Sequence, residues 1–224
     1  MRTLAIGDIH GCLAPLKHLW KVIDPQPEDR IIFMGDYIDR GPDCKGVIDF
    51  LIGLQQQDFD ITFLSGNHEE KFFLSEMDLT DRDHWLSVWG GPETLESYGP
   101  EGFENIPESH WEFLRKCRPY LETDTHIFVH ANLEHDVPLD QQLPFTIVHK
   151  KFGTPKPHMS GKVMICGHTA QKSHVPANLG HAICIDTDVG RGGYLTCLHV
   201  ETGSYWQTNF DGEVREATIF EEMA

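Results

Sequence analysis

The sequence predicts an α/β fold with a parallel front half and an antiparallel back. Three observations carry this reading. Short apolar runs alternate with amphipathic stretches from Thr3 to Met77. Five apolar runs each hand an Asp, Asn or His to the residues just past their end: Gly7-Asp8-Ile9-His10-Gly11, Gly35-Asp36-Tyr37-Ile38-Asp39-Arg40-Gly41, Gly66-Asn67-His68-Glu69, His130-Ala131-Asn132 and Gly167-His168-Thr169. Beyond Ala182 the runs shorten and turn at Gly192-Gly193 and Thr202-Gly203, the pattern of an antiparallel meander.

Taken in order, Thr3 to Ile6 reads as a buried first strand. Leu16, Leu19, Trp20 and Ile23 share one face of a helix that Pro25 and Pro27 end. Ile31 to Met34 is a second strand, and Val47, Ile48, Leu51 and Leu54 line a second helix. Ile61 to Leu64 is a third strand, followed by a short helix from Glu69 to Met77. This rhythm implies parallel strands joined by right-handed crossovers. Asp81 to Arg118 breaks it. The stretch is rich in aromatics at helical spacing, punctuated by Gly90-Gly91-Pro92 and Gly99-Pro100, and reads as a helical insert beside the strand ends. Ile127 to Val129 and Val163 to Cys166 are strands. Pro138 to Gly161, with four prolines, reads as a loop or lid. Ala182 to Ile185, Tyr194 to Val200 and Ser204 to Gln207 form the predicted meander, and the segment from Phe210 onward is left unassigned.

The 224 residues suffice for one large core, and residues 1–224 read as a single domain. A formal charge of -17 argues against a nucleic-acid or anionic-membrane partner and leaves carboxylates for cations. No apolar run approaches the roughly 20 residues of a membrane span. Gly7-Asp8 cuts the first apolar run short, so no export signal is read. The six cysteines are scattered without a Cys-x-x-Cys pair and read as buried thiols. A cytoplasmic protein is the expectation.

In α/β sheets ligands bind outside the C-terminal ends of the strands. The five strand ends therefore read as one metal site, built from Asp8, His10, Asp36, Asn67, His130 and His168. Mixed oxygen and imidazole donors suit borderline divalent ions such as Mn²⁺, Fe²⁺ or Zn²⁺. The lack of Cys disfavours a closed structural zinc site, and the presence of His disfavours a pure calcium or magnesium cage. Six donors exceed what one ion can use while also holding substrate. They suffice for two ions if one carboxylate bridges, and such a pair clamps an in-line displacement at phosphorus and supplies a hydroxide nucleophile.

These five motifs, in this order, resemble the calcineurin-like metallophosphoesterases, and more narrowly the phosphoprotein phosphatase family in its short bacterial branch. The resemblance runs from Gly7 to Gln207 and takes in the stretch from Gly90 to Tyr98 and Ile185-Asp186-Thr187. It implies a sandwich of two mixed sheets flanked by helices. It implies that Asp8 and His10 hold a first metal, that Asp36 bridges, and that Asn67, His130 and His168 hold a second, with Mn²⁺ the foremost candidate and Fe or Zn the others. Arg40, Asn67 and His68 are the implied substrate-binding residues, the fork of Arg40 suiting a phosphate. His68 is the implied general acid, with Asp39 orienting it and favouring its charged form.

The chain departs from the resemblance at Asn132 and Asp188, where glycine is usual, and by having no Arg between Pro119 and Gly190. A second phosphate-binding Arg is expected in that interval, and His149, Lys150 and Lys151 are the available substitutes. Other residues carry plainer readings. Trp85, Trp89 and Trp111 read as core, Asp186 as a structural hydrogen-bonder, and Asp43 and Glu70 as solvated or helix-capping. His18, His84, His110, His126 and His158 lack any glycine-flanked strand end. Gly-Asp and Gly-Asn are ordinary turn pairs, but that does not account for the His that follows at two of the three, His10 and His68.

The first functional expectation is a metal-dependent phosphomonoesterase acting on phosphoserine or phosphothreonine in proteins or peptides, with phosphotyrosine admitted as a further substrate. The second is a symmetrical diadenosine tetraphosphate hydrolase, which shares the same core. The Asp39-Arg40 pair favours the first, since the second group resembles the motif with Ala at the Asp position. A phosphopeptide-binding module on an inactive fold is disfavoured by the complete ligand set with His68 and Arg40.

Overall fold

The computed structural model describes residues 1–100 and 102–220. Its strands are β1 (Thr3–Ile6), β2 (Arg30–Phe33), β3 (Asp60–Phe63), β4 (Tyr120–Glu122), β5 (His126–Val129), β6 (Val163–Cys166), β7 (Ala177–Asn178), β8 (Ala182–Cys184), β9 (Leu195–His199), β10 (Ser204–Thr208) and β11 (Val214–Thr218). They form two mixed sheets, ordered β11-β10-β9-β1-β2-β3 and β4-β5-β6-β8-β7. In the first, β1, β2 and β3 run parallel, in the register Ala5–Ile32 and Ile32–Thr62. In the second, β5, β6 and β8 run parallel.

The central strands β1, β2, β5 and β6 are short and largely apolar on both faces because both faces are covered. Leu4, Ile6, Ile31 and Phe33 point into a helical layer. Their neighbours Ala5 and Ile32 point the other way, against Phe128, Ile165 and Ile183 of the second sheet. The outer face of that sheet, with Val129, Met164 and Cys166, packs on Leu139, Ile147, Val148 and Phe152. Each fully buried aliphatic side chain in these layers contributes about 1.5–3 kcal/mol.

Helix α1 (Leu13–Ile23) buries Leu16, Leu19 and Ile23 at helical spacing, and Asp24 ends it with a left-handed φ of 41°. Helix α2 (Cys44–Gln55) is capped by Asp43, whose side chain accepts from the Gly46 amide at 2.8 Å, and it buries Val47, Ile48, Leu51 and Leu54. Helix α3 (Asn67–Met77) starts at the end of β3. The aromatic stretch forms α4 (Leu79–His84), a π-helical turn Trp85–Trp89, α5 (Gly91–Tyr98), a 3-10 turn Gly102–Asn105 and α6 (Glu108–Arg115). It is the helical insert that the sequence predicts.

The structure differs from the sequence expectation in several places, the short edge strands β4 and β7 among them. The segment from Ala182 is not part of the meander. β8 lies in the second sheet beside β6, buried on both faces, an environment that side-chain alternation cannot distinguish from a meander strand. The meander is β9-β10-β11 instead, and β11 gave no signal because every one of its residues is exposed. The predicted loop at Pro138 to Gly161 contains a 3-10 turn Leu139–Gln141 and helix α7 (Pro144–His149), which cover the second sheet.

All six cysteines are free thiols, five of them buried and Cys117 partly so. Among the described residues no helix is long and apolar enough to cross a membrane. Residues 221–224 of the acidic tail lie outside the described residues.

Candidate active site

The C-terminal ends of β1, β2, β3, β5 and β6 meet at one edge, and each carries one of the sequence motifs. The chain turns there in ways that side chains seldom adopt. His10, Asp36, Asp39, Arg40 and His168 all have positive φ, between 48° and 71°. Asp and His tolerate the left-handed region, but for a residue the size of Arg40 it is costly, and such strain concentrates at functional sites. Backbone and side-chain bonds hold the turns. The Ile9 and His10 amides donate to Asp36 O at 3.0 and 2.8 Å. Glu69 is fully buried and accepts from the amides of Asp36, Tyr37 and Gly66 at 2.8–2.9 Å. No sequence signal separated Glu69 from an ordinary helix-start glutamate; its role comes from the fold.

Two donor triads share Asp36. One is His10, Asp36 and His68, and the other is Asp36, His130 and His168; in each, the candidate ligand atoms lie within 4.8 Å of one another. Asp36 Oδ2 faces His10 Nε2 at 3.5 Å, and Oδ1 faces His130 Nε2 at 3.3 Å. Asn67 Oδ1 sits 2.9 Å from His130 Nε2 and 2.7 Å from His168 Nδ1. Asp8 stands beside these triads, with Oδ2 accepting from the His168 amide at 2.9 Å. The six predicted ligands are thus brought together, and His68 joins them.

The imidazoles are oriented from behind. His10 Nδ1 lies 3.0 Å from Ile38 O, His130 Nδ1 2.8 Å from Met34 O, and His168 Nε2 3.0 Å from His149 O. A carbonyl can only accept, so each of these nitrogens carries the proton. In a neutral ring the opposite nitrogen then presents a lone pair to the site. Burial and the Arg40 charge push His10 well below its ordinary pKa, and burial with the His130 charge takes His168 down to about 3, so these two rings stay neutral. For His130 burial works in the same direction, but Asp36 outweighs it and raises the pKa.

The residues fit a divalent-ion centre on three observations. Asp8 Oδ1 is buried with no hydrogen-bond partner among the described residues. Buried carboxylates crowd one another: Asp8 is raised well above the usual range, first by burial and then by Asp186 and Asp36. Asn67 Oδ1 meets the His168 lone pair, an acceptor against an acceptor, which a shared cation satisfies. Gly167 makes room for the Asp8 carboxylate, since a Cβ there would lie 2.0 Å from Asp8 Oδ1.

The insert builds the other side. His68 Nδ1 lies 2.6 Å from Asp39 Oδ2. Asp39 also accepts from Trp85 Nε1 at 2.9 Å and from the Thr94 hydroxyl at 2.6 Å. Burial nonetheless pushes Asp39 up to about 8. It also takes His68 down to about 3; Asp36 works against that fall, and Arg40 adds to it. The expected cationic form of His68 is therefore opposed by burial and by its guanidinium neighbour. Arg40 Nη1 and Nη2 reach His10 Nε2 at 2.6 Å and His68 Nε2 at 2.8 Å. The Arg40 amide donates to Gly90 O at 3.2 Å, and any Cβ at Gly90 would lie 2.6 Å from that nitrogen.

A cavity of about 390 Å³ opens over Asp36, Asn67 and His68. Its walls add the cations Arg40, Lys151 and Arg191 and the apolar groups Val88, Trp89 and Phe145. Trp85 and Trp111 are core residues, as their spacing predicts. Trp89 is not: its ring meets the His68 ring at a centroid distance of 4.9 Å and lines the cavity. Among the three basic candidates, His149 and Lys151 line the cavity, whereas Lys150 pairs with Glu134 at 2.7 Å. Glu70 is not simply solvated, since it pairs with His149. Arg191 directly follows the Arg-free interval from Pro119 to Gly190, in a turn whose reach into the cavity local sequence does not encode.

Residues 1–172 match the family model for calcineurin-like phosphoesterase. A symmetrical bis(5'-nucleosyl)-tetraphosphatase of Pseudomonas putida (strain GB-1) is 29% identical over 151 residues, 65% of this chain and 47% of that protein. The chain thus spans about half the length of that relative. The asymmetrical bis(5'-nucleosyl)-tetraphosphatase PrpE of Geobacillus thermodenitrificans (strain NG80-2) is 27% identical and covers 86% of this chain and 88% of its own length. A solved cold-active protein tyrosine phosphatase superposes with a TM-score of 0.69 at 17% identity, over 96% of this chain and 78% of that one. The matched fold, the ordered motifs and the paired donor triads together make this chain a member of the calcineurin-like phosphoesterase family.

Proposed function

We propose that this chain hydrolyses a dinucleoside polyphosphate with the help of two divalent ions, Mn²⁺ foremost. The observation that carries this reading is the cavity wall: Arg40, Lys151 and Arg191 offer charge to several phosphates, while Trp89 and Phe145 offer aromatic faces to a base. The names of the curated relatives support the same reading. They reverse the order in which the sequence alone ranked the two substrate classes.

In this reading Asp8, His10 and Asp36 would hold one ion and Asp36, Asn67, His130 and His168 the other, as the two oxygens of Asp36 face different triads. When bound, such ions neutralise phosphoryl charge and activate water. The protein supplies the rest. Arg40 moves its fork from the two imidazoles to the phosphate. Asn67 and His68 border the bound group. Once Arg40 has left His68 Nε2, the proton that burial keeps on the Asp39–His68 pair passes from Nε2 to the departing oxygen, with Asp39 holding Nδ1.

One observation favours a phosphomonoesterase as a second reading. The buried Asp39–His68 pair is an acid poised for a poor leaving group such as a serine alkoxide, and a phosphoanhydride needs it less. The test is turnover by protein reconstituted with Mn²⁺ on diadenosine tetraphosphate beside phosphoserine, phosphothreonine and phosphotyrosine peptides, with products separated by chromatography. Higher kcat/KM on the dinucleotide is the expected result. ADP alone marks symmetrical cleavage, and AMP with ATP marks asymmetrical cleavage. A higher kcat/KM on any of the phosphopeptides overturns the proposal in favour of the second reading.

A further inference from the structure

Arg40 and Arg191 both line the cavity above Asp36 and His68, but they are engaged very differently. Arg40 spends both terminal nitrogens on His10 and His68. The Arg191 side chain is 54% exposed, and its ion contact among the described residues is a long one, 3.7 Å from Nη1 to Asp188 Oδ1. Arg191 closes a 3-10 turn, Val189–Arg191, between two left-handed residues, Asp188 at φ 68° and Gly192 at φ 88°.

Asp188 is the residue that stands where the sequence resemblance expects glycine. It keeps the left-handed backbone a glycine would take, as Asp can. Its amide is tied to Asp186 Oδ1 at 3.0 Å, and its carbonyl accepts from Gly193 at 2.9 Å. A buried carboxylate is thereby fixed at the foot of the turn, where it contacts both Lys172 and Arg191. The unusual Asp and the Arg three residues on form one device: the carboxylate holds the guanidinium over the cavity without saturating its donors.

We propose that Arg191 is a substrate-binding residue, gripping the phosphoryl group from the cavity wall next to His10, with Asp188 as its positioning residue. This rests on the part of the functional reading that places a phosphoryl group in this cavity. A guanidinium with free donors is suited to two oxygens of such a group. Since Asp188 shares its charge with Lys172, it aims Arg191 more than it neutralises it.

The test is binding of inorganic orthophosphate to Mn²⁺-reconstituted protein by calorimetry, together with kcat and KM on p-nitrophenyl phosphate. Arg191→Ala is expected to raise both the phosphate Kd and KM by about tenfold or more, with a smaller change in kcat. Arg191→Lys, which keeps the charge but not the fork, falls between. Asp188→Asn, which tolerates the same backbone, gives a smaller rise that does not add to that of Arg191→Ala in the double variant. Unchanged phosphate Kd and KM in folded Arg191→Ala and Arg191→Lys overturn the proposal. So does full additivity of the two substitutions, which would leave Asp188 without its role. Failure of diadenosine tetraphosphate turnover strikes only the polyphosphate reading, because orthophosphate binding reports on Arg191 whichever ester is the substrate.

Discussion

Asp39 Oδ2 and His68 Nδ1 lie 2.6 Å apart, with both side chains closed to solvent. A serine alkoxide leaves poorly without a proton, whereas nitrophenolate leaves with little help. His68→Asn is therefore expected to lose about 10²–10⁴-fold in kcat on a phosphoserine peptide and far less on p-nitrophenyl phosphate. Asp39→Asn shows the same bias more weakly. The measurement is kcat on both substrates at equal metal occupancy, and equal losses would place His68 in metal or phosphate positioning instead.

Trp85 reaches Asp39 from the insert, with its indole N–H 2.9 Å from Oδ2. Trp85→Phe keeps most of the ring volume and deletes that donor. We expect a loss of roughly 1–3 kcal/mol from the unsatisfied buried carboxyl, visible as a lowered Tm. The leaving-group bias of Asp39→Asn should accompany it. An unchanged Tm would mean that Thr94 and His68 satisfy Asp39 without the indole.

Asp36 faces both donor triads, whereas Asn67 serves one. Asp36→Asn is expected to reduce bound metal at both positions and Asn67→Ala chiefly at one. Metal analysis after dialysis against trace Mn²⁺ reads this directly. Equal retention of two ions by the Asp36→Asn protein would show that this carboxylate does not bridge.

Asp29 anchors the first strand. It accepts from the Arg2 amide at 2.9 Å, Arg2 Nε at 3.0 Å and the Gln26 amide at 2.9 Å. Burial works to raise its pKa, but Arg2 and the two amides outweigh that and take it from 3.8 to about 2. A carboxylate with a depressed folded pKa stabilises fully above its unfolded value and loses that contribution as pH falls through the folded one. Asp29→Asn is expected to cost about 2 kcal/mol at pH 7, and the gap to the parent protein to close between pH 4 and pH 2. Urea unfolding across that range checks it; a gap independent of pH would assign the cost to packing.

The sequence by itself determined the front of this protein. Apolar runs at Thr3 to Ile6, Ile31 to Met34 and Ile61 to Leu64, spaced by amphipathic helices, leave a parallel sheet as the way to bury both strand faces. Glycine-flanked Asp, Asn and His at those ends marked the residues that the fold gathers, because polar residues past a buried strand are conspicuous. Tertiary structure decided what local pattern does not encode. β8 joins the second sheet because Ile183 is needed between the layers, and fully buried strands carry no alternation to declare their partner. Glu69, Trp85 and Thr94 became supports of Asp36 and Asp39 through contacts 33, 46 and 55 residues apart in the chain, beyond the reach of any local motif. Trp89 left the core for the cavity, and Arg191 entered it, because the insert and a left-handed turn aim their side chains at an edge that exists only once the two sheets have packed.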